Sequence, residues 1–392
     1  MYEALKDKFK NRYGYDARYV FSAPGRTELG GNHTDHQLGR VLAAAVELDT
    51  KAAVSFNGRG EIRILSEGYA PITVELDKLG VCESEKGTTA ALVRGIAAAV
   101  AASGAVLKGF DAYVVSDVLP GSGLSSSAAF EVLMGNVISH LSDAGLDAVR
   151  IAQLGQYAEN VYFGKPSGLM DQMASSVGNI VTIDFADETA PVVKPLAFDF
   201  AASGHSLCII DSGADHADLT AEYAAIPEEL RRVCALFGKK HLREVDEGEF
   251  VARIAEVRAA AGDRAVLRAM HIFDDNRRVD AEVNALENND FAAFLRAVKV
   301  SGVSSWTLLQ NVVPTGNTAR QELAFALAMA ERLLDGRGAC RVHGGGFAGT
   351  IQAFVPNDML PAFRAGIENA LGEGSCHVLN IRREGGCLLE EI

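Results

Sequence analysis

Apolar and polar positions along this chain change period several times, and each change predicts an element. Residues 1 to 13, "MYEALKDKFKNRY", are charged and amphipathic and predict an opening helix. "ARYVFSAPGR" reads as a strand that gives way to a loop at Pro24 and Gly25. "RVLAAAVELDTKAAVSF" and "GEIRILSEG" carry strand-like apolar runs on either side of the turn signal "NGRG". "TTAALVRGIAAAVAASG" has helical spacing and stops at Gly104, a residue favoured just past a helix end. A strand in "GFDAYVVSDVLP" then leads to three helices, in "SSSAAFEVLMGNVISHL", "DAVRIAQLGQYAENVYFG" and the shorter "GLMDQMASSVG".

After "NIVTIDFAD" the texture changes. "HSLCIIDSG" predicts a strand, and "DLTAEYAAIPEELRRVCALFG" opens a charged, helix-rich stretch that lasts to residue 335. Strands follow in "CRVHGGGFAGTIQAFV" and "CHVLNIRR", with the helix "MLPAFRAGIENALG" between them. The boundary falls near residue 200, giving units 1–200 and 201–392. Both mix helix and strand, so the expected class is α+β.

Composition narrows the function. With 392 residues, 48% of them hydrophobic, the chain can bury two sizeable cores. The 37 basic and 51 acidic side chains leave a net charge of −14, a surface that repels nucleic acid and anionic membranes. A small-molecule partner is the expectation. The six cysteines lie far apart with no C-x-x-C pair, which suits reduced thiols in the cytoplasm. No secretory signal is visible, and the longest apolar stretch, "ALVRGIAAAVAASGAVL", contains Arg94 and suits a buried helix.

Four stretches carry chemistry. "LPGSGLSSSAAFEV", residues 119–132, runs from a strand through a Gly/Ser loop directly into a helix. Such a loop lets backbone approach a ligand closely, and free N–H groups at the helix start bind anions. No Walker lysine accompanies it, and a serine N-cap after a flexible turn is the plain alternative. "AENVYFGKPSGLMDQMAS", residues 158–175, places Asp171 in a helix first turn, where a dipole-facing carboxylate is also ordinary. Glu159 sits twelve residues earlier. "APGRTELGGNHTDHQLG", residues 23–39, combines Arg26, His33, Asp35 and His36 in one loop. It fits a capped β-turn, or a metal site for which no further ligand cluster follows nearby. "VHGGGFAGTIQAFV", residues 342–355, fits either a loop closing over phosphates or a tight turn.

In this order the four stretches resemble the GHMP kinases over nearly the whole chain. "PGRTELGGNHTD" resembles the G-R-x-N-L-I-G-E-H-T-D-Y signature of their galactokinase branch. The resemblance implies a two-domain GHMP kinase fold, with an N-terminal ribosomal-protein-S5-like domain, a C-terminal ferredoxin-like domain and the site between them. It implies an ATP- and Mg²⁺-dependent sugar 1-kinase, converting galactose to galactose 1-phosphate. Asp171 then matches the catalytic aspartate and Arg26 the arginine beside it. Gly121, Ser122, Gly123, Leu124, Ser125, Ser126 and Ser127 match the nucleotide loop. Ser127 and Glu159 match the magnesium ligands, and Ser66 a nucleotide-contacting serine. Asn32, His33, Thr34 and Asp35 fall in the sugar motif, and Tyr223 matches a sugar-contacting tyrosine.

The motif departs from the family pattern at several positions. Glu28 stands where the pattern has Asn, Gly30 follows Leu29 where it has Ile, Asn32 stands for Glu, and His36 for Tyr. The family glutamate meets the sugar near its C6 hydroxyl. Asn32 is therefore expected to remove a negative charge there, opening the site to another hexose or to galacturonate. A non-catalytic sugar and ATP sensor is a further alternative. Retention of Asp171, Arg26 and "GSGLSSSA" argues against it.

Overall fold

The structure is a computed structural model that describes residues 2–118, 123–187, 189–214 and 219–392. Helix α1 (Glu3–Tyr13) leads into β1 (Tyr19–Gly30), β2 (Arg40–Phe56), β3 (Glu61–Ser66) and β4 (Ile72–Glu75). Then come α2 (Thr89–Ala102), β5 (Phe110–Ser116), α3 (Ser126–Leu141), α4 (Ala148–Tyr157), α5 (Met170–Val177), β6 (Ile180–Asp184) and β7 (Val192–Leu196). The long strand β2 organises this half. It pairs antiparallel with β1 along its length, with β6 at its start and with β5 at its end. Val54, Val114, Ile64 and Phe21 then pack against Val93, Ile96, Leu133, Val137 and Leu154 of the covering helices.

Strand β1 does not stop at Pro24 and Gly25 as its sequence suggests. It runs on to Gly30 and absorbs the proline at a register shift between Pro24 and Arg26. The residue this shift leaves out of the ladder is Gly25, directly after the proline, so Pro24 sits at the edge of the irregularity. The continuation matters, because it carries Arg26 and Glu28 into the site on a strand rather than a loop. Opposite them lie Ala45 and Ala43 of β2, small residues that leave room for large polar side chains.

The second sheet uses β8 (His205–Ala214), and the chain then passes through α6 (Thr220–Ala235), α7 (Glu247–Ala252), α8 (Ile254–Ala261), α9 (Asp263–Glu287), α10 (Phe291–Ser304) and α11 (Glu322–Leu334). Strands β9 (Ala339–Val342) and β10 (Gly349–Pro356), helix α12 (Leu360–Leu371) and strand β11 (Cys376–Leu379) complete it. The order β11-β8-β10-β9, all antiparallel, is the ferredoxin-like arrangement. Along β8 the side chains alternate. Cys208 and Ile210 pack with Phe363, Ile367 and Leu327, while Leu207 and Ile209 join the opposite face. That opposite face is a core shared by the halves, in which Val279, Phe294 and Phe354 meet Leu29, Leu42, Val118 and Leu124.

The boundary near residue 200 separates β7 from β8, but the second unit does not keep the chain to residue 392. Strand β12 (Cys387–Glu391) returns to the first sheet and pairs antiparallel with the beginning of β1. Its short run has no neighbour in the second sheet and finds an open edge beside β1. No helix among the described residues is long and apolar enough to cross a membrane.

Candidate active site

Where the first sheet meets the Gly-rich turn of the second, a cavity of about 220 Å³ is lined by Arg26, Glu28, Asn32, His33, Asp35, Glu159, Lys165, Asp171 and Gly345, among others. A wider groove of about 940 Å³ beside Phe56, Arg59 and Lys108 gathers none of these groups. The cleft, not the wider groove, holds the chemistry.

Asp171 stands in the first turn of α5. Arg26 Nε and Nη2 both lie 2.8 Å from its Oδ1, and the Ser125 hydroxyl donates to Oδ2 at 2.6 Å. Burial alone would push the carboxyl up, but the Arg26 charge, its hydrogen bond and the Ser125 hydroxyl outweigh it and hold Asp171 below its ordinary value. The result is an ionised carboxylate fixed in orientation within a cleft.

Ser125 reaches Asp171 from a left-handed backbone conformation, φ 55°, just before α3. A non-glycine residue held there is strained, and such strain persists where its surroundings fix it. Arg26 contributes to that fixing, since its N–H donates to Leu124 O at 3.0 Å and its guanidinium bonds Gly123 O. Gly123 has φ 73°, and a Cβ there would meet His343 Nδ1 and Thr350 Oγ1, each at 2.9 Å. The free N-terminal end of α3 faces this loop. Gly121 and Ser122 lie outside the described residues. Ser126 is half-buried, and Ser127 is exposed on the first turn of α3.

Glu159 lies in a π-helical turn, Ala158–Phe163, that continues α4. Its Oε1 accepts from Lys165 Nζ at 2.9 Å, and its Oε2 from Ser167 Oγ at 2.6 Å and Gln172 Nε2 at 2.9 Å. The same Gln172 nitrogen donates to Glu131 Oε2 at 2.8 Å. Burial, followed by the charge of Glu159, pushes the Glu131 carboxyl well above its ordinary range. No hydrogen bond joins Ser127 to Glu159 among the described residues.

The opening loop is built on Thr34, whose hydroxyl bonds Gly31 O at 2.8 Å and Arg40 O at 2.5 Å. It is a buried staple, not a wall of the cavity. His33 Nε2 donates to Gly345 O at 3.1 Å, and burial pushes its imidazole down to about 4. Asp35 reaches the start of α5 because position 168 is glycine, where a Cβ would strike its carboxylate. Tyr223 packs behind the Gly-rich turn, with its hydroxyl donating to Gly346 O at 2.7 Å. Ser66 is half-buried at the end of β3, opposite Val114. The structure thus gathers Arg26, Asn32, His33, Asp35, Glu159 and Asp171 around one cavity, holds Ser125 against Asp171 from outside that lining, and leaves Thr34, Tyr223, Ser66 and Ser127 outside its wall.

Asn32 corrects the expectation of a lost charge. Its amide is fully buried and taken up by the protein. Nδ2 donates to Glu28 Oε1 at 3.2 Å and to Gly344 O at 2.7 Å, while Oδ1 accepts from Asn311 Nδ2 at 2.8 Å. The carboxylate missing at position 32 is present at position 28, bonded to Asn32 itself. Beneath it lies Arg341, wholly buried, whose Nη2 bonds Glu28 Oε1 and whose Nη1 donates to Leu29 O at 3.0 Å. Arg341, Gln172, Lys165 and Ser167 carry no motif of their own. The signal that points to the last three is their place in "GKPSGLMDQ", the stretch after Glu159, with Lys165 and Ser167 ahead of Asp171 and Gln172 directly after it.

The galactokinase galactose-binding signature matches residues 7–56, and the GHMP kinases N terminal domain matches residues 91–179. A curated galactokinase of Actinobacillus pleuropneumoniae serotype 3 (strain JL03) is 32% identical over 365 residues, covering 91% of this chain and 90% of that protein. One of Streptomyces coelicolor is 31% identical over 369 residues, covering 93% and 91%. The structure of Lactococcus lactis galactokinase complexed with galactose matches with a TM-score of 0.83 at 25% identity, over 99% of both chains. A mevalonate kinase structure, at 14% identity and a TM-score of 0.67 over 93% and 99%, shares the fold. The chain belongs to the galactokinase family of the GHMP kinases.

Proposed function

We propose that this protein transfers the γ-phosphoryl group of ATP to the anomeric hydroxyl of a hexose, with galactose the best-supported acceptor. One observation carries the reading. Asp171 is held ionised by Arg26 and Ser125, in a cavity lined by the sugar-signature loop, while the loop before α3 bonds the same Asp171–Arg26 pair through Ser125 and Gly123. Phosphoryl transfer asks mainly for positioning and charge neutralisation. A carboxylate within reach of the attacking hydroxyl accepts its proton at Oδ1 or Oδ2. Arg26 keeps that carboxylate ionised before transfer and offsets charge that develops during it. The N-terminus of α3, which has no side-chain cap among the described residues, offers its N–H groups to the phosphates.

Ser127 and Glu159 are hard oxygen donors of the kind Mg²⁺ takes, and they would hold it beside the phosphates. When bound, the ion neutralises phosphate charge. Asp35 and Glu28 line the cavity as acceptors, a composition suited to a hydroxyl-rich ligand rather than an apolar one. Six free thiols support a cytoplasmic setting. The retained Asp171–Arg26 pair favours catalysis over a sensor role. ADP release across galactose, glucose, galactosamine, arabinose and galacturonate tests the reading, with ³¹P NMR locating the phosphate. Sugar-independent ADP release, or a phosphate on any carbon but C1, refutes it.

A further inference from the structure

Glu28 has one oxygen tied down and one free. Oε1 takes both Arg341 and Asn32. Oε2 takes no hydrogen bond among the described residues. Unlike the orphaned oxygens of Glu282, it is not sealed inside the protein, and Glu28 lines the cavity. The side chain is otherwise buried, with 4% of its surface exposed. Arg26 and Glu28 are two residues apart on one face of β1, with regular pairing to β2 between them. Two strand residues span about 7 Å, so Glu28 sits across the cavity from the Arg26–Asp171 pair. A pyranose with its anomeric hydroxyl at Asp171 would turn its far edge, C4 and C6, toward Glu28.

Resting on the sugar-kinase reading above, we propose that Glu28 is the specificity-determining acceptor for a hydroxyl on the far edge of the sugar ring, and that Asn32 and Arg341 position it. Burial pushes the Glu28 carboxyl up, and the Arg341 charge, the Arg26 charge and the Asn32 hydrogen bond each pull it back toward the ionised form, while the Asn32 amide aims it. A carboxylate in this place accepts a hydroxyl hydrogen bond and repels a C6 carboxylate. The inference therefore predicts that galacturonate is a poor substrate.

The test compares kcat/KM for galactose with that for 2-deoxy-, 4-deoxy- and 6-deoxygalactose and for galacturonate, in the parent and in Glu28→Gln. The expected result is strong parental rejection of the 4-deoxy or the 6-deoxy sugar. That rejection should fall about ten- to a hundred-fold in the variant, the worth of a charged hydrogen bond. Rejection of 2-deoxygalactose should stay unchanged, and galacturonate should gain relative to galactose. Because Glu28→Gln leaves Arg341 without a charged partner, Glu28→Asp is run beside it. That variant keeps the charge, withdraws the carboxylate by one methylene and is expected to weaken the same discrimination. Thermal melting monitors folding of both. A parent that turns over galactose, with variants that fold and leave every ratio unmoved, overturns the inference alone. A parent that phosphorylates none of the sugars overturns the kinase reading and this inference with it.

Discussion

Replacing Asp171 by Asn removes one charge and almost no volume, so it separates chemistry from folding. An asparagine Oδ1 still accepts from Arg26, and its Nδ2 donates to the Ser125 hydroxyl, which reverses its own role. Arg26, only 6% exposed, then faces a neutral partner. Its charge-assisted bonds weaken by about 1–2 kcal/mol, partly offset because a buried carboxylate no longer has to be desolvated. Stability should fall by a few degrees of Tm at most. The chemical step loses its proton acceptor, a contribution of about 10²- to 10⁴-fold, equivalent to about 3–5 kcal/mol of barrier.

The assay is kcat at saturating galactose and ATP, with ADP affinity measured separately and expected to hold. The pH profile adds a second readout. Asp171 is held below its ordinary value, so the parent keeps its base across the neutral range. It loses activity only as pH falls through that depressed pKa and the carboxylate takes a proton. In Asp171→Asn this acid limb should vanish. Turnover within about threefold of the parent, far short of the loss expected for a general base, would refute the catalytic assignment.

Ser127→Ala and Glu159→Gln should each raise the Mg²⁺ concentration needed for half-maximal activity and for nucleotide binding, and titrations that overlay the parent curve remove the magnesium assignment. Gly123→Val should lower nucleotide affinity and cost about 1–2 kcal/mol or more of stability, because φ is 73° and the added Cβ meets His343 and Thr350; calorimetry with ADP and a melting curve check both. Burial pushes His33 down to about 4, whereas the unfolded chain takes up this proton near 6.5. The unfolded form therefore binds more protons between those values, so stability falls as pH is lowered through the window. His33→Gln should flatten that fall in a Tm–pH profile, and an unaltered slope would count against it.

Motifs with fixed internal spacing were legible without coordinates. Asp171 in a helix first turn, the serines at the start of α3 and the strand–turn–strand around residues 342–355 each depend on local chemistry, and each stands where its spacing puts it. Partnerships across long separations were not legible. The pairing of β12 with β1 joins opposite ends of the chain, and no periodicity within Cys387–Glu391 names its neighbour. The passage of β1 through Pro24 depends on a bulge and on the Ser175 hydroxyl, which bonds Pro24 O at 2.7 Å from α5. Ser125 was legible as part of a loop, but its bond to Asp171 rests on a left-handed backbone that serine rarely adopts.

The departures at positions 28, 30 and 32 are one repacking rather than three independent changes, and this gives a final prediction. Glu28 bonds Asn32 and Arg341, and Asn32 N donates to Asp275 at 2.8 Å. At Gly30 a Cβ would collide with the carboxyl of Glu282. Both oxygens of Glu282 are sealed without hydrogen-bond partners among the described residues, and burial pushes its carboxyl well above the ordinary range, which favours the protonated form. Restoring the family residue at one position alone should therefore harm the protein. Asn32→Glu loses the donor to Gly344 O and brings a new carboxylate against Glu28 and Asp275 in a site with no exposure. The expected cost is about 2 kcal/mol or more, read as a lower Tm together with lower activity on every sugar. Glu28→Asn combined with Asn32→Glu returns the site to one carboxylate and should recover part of that loss, so the two changes are coupled in a double-mutant cycle. If Asn32→Glu instead folds like the parent and only shifts preference from galacturonate toward galactose, Asn32 faces the sugar and the exchange with Glu28 is incidental.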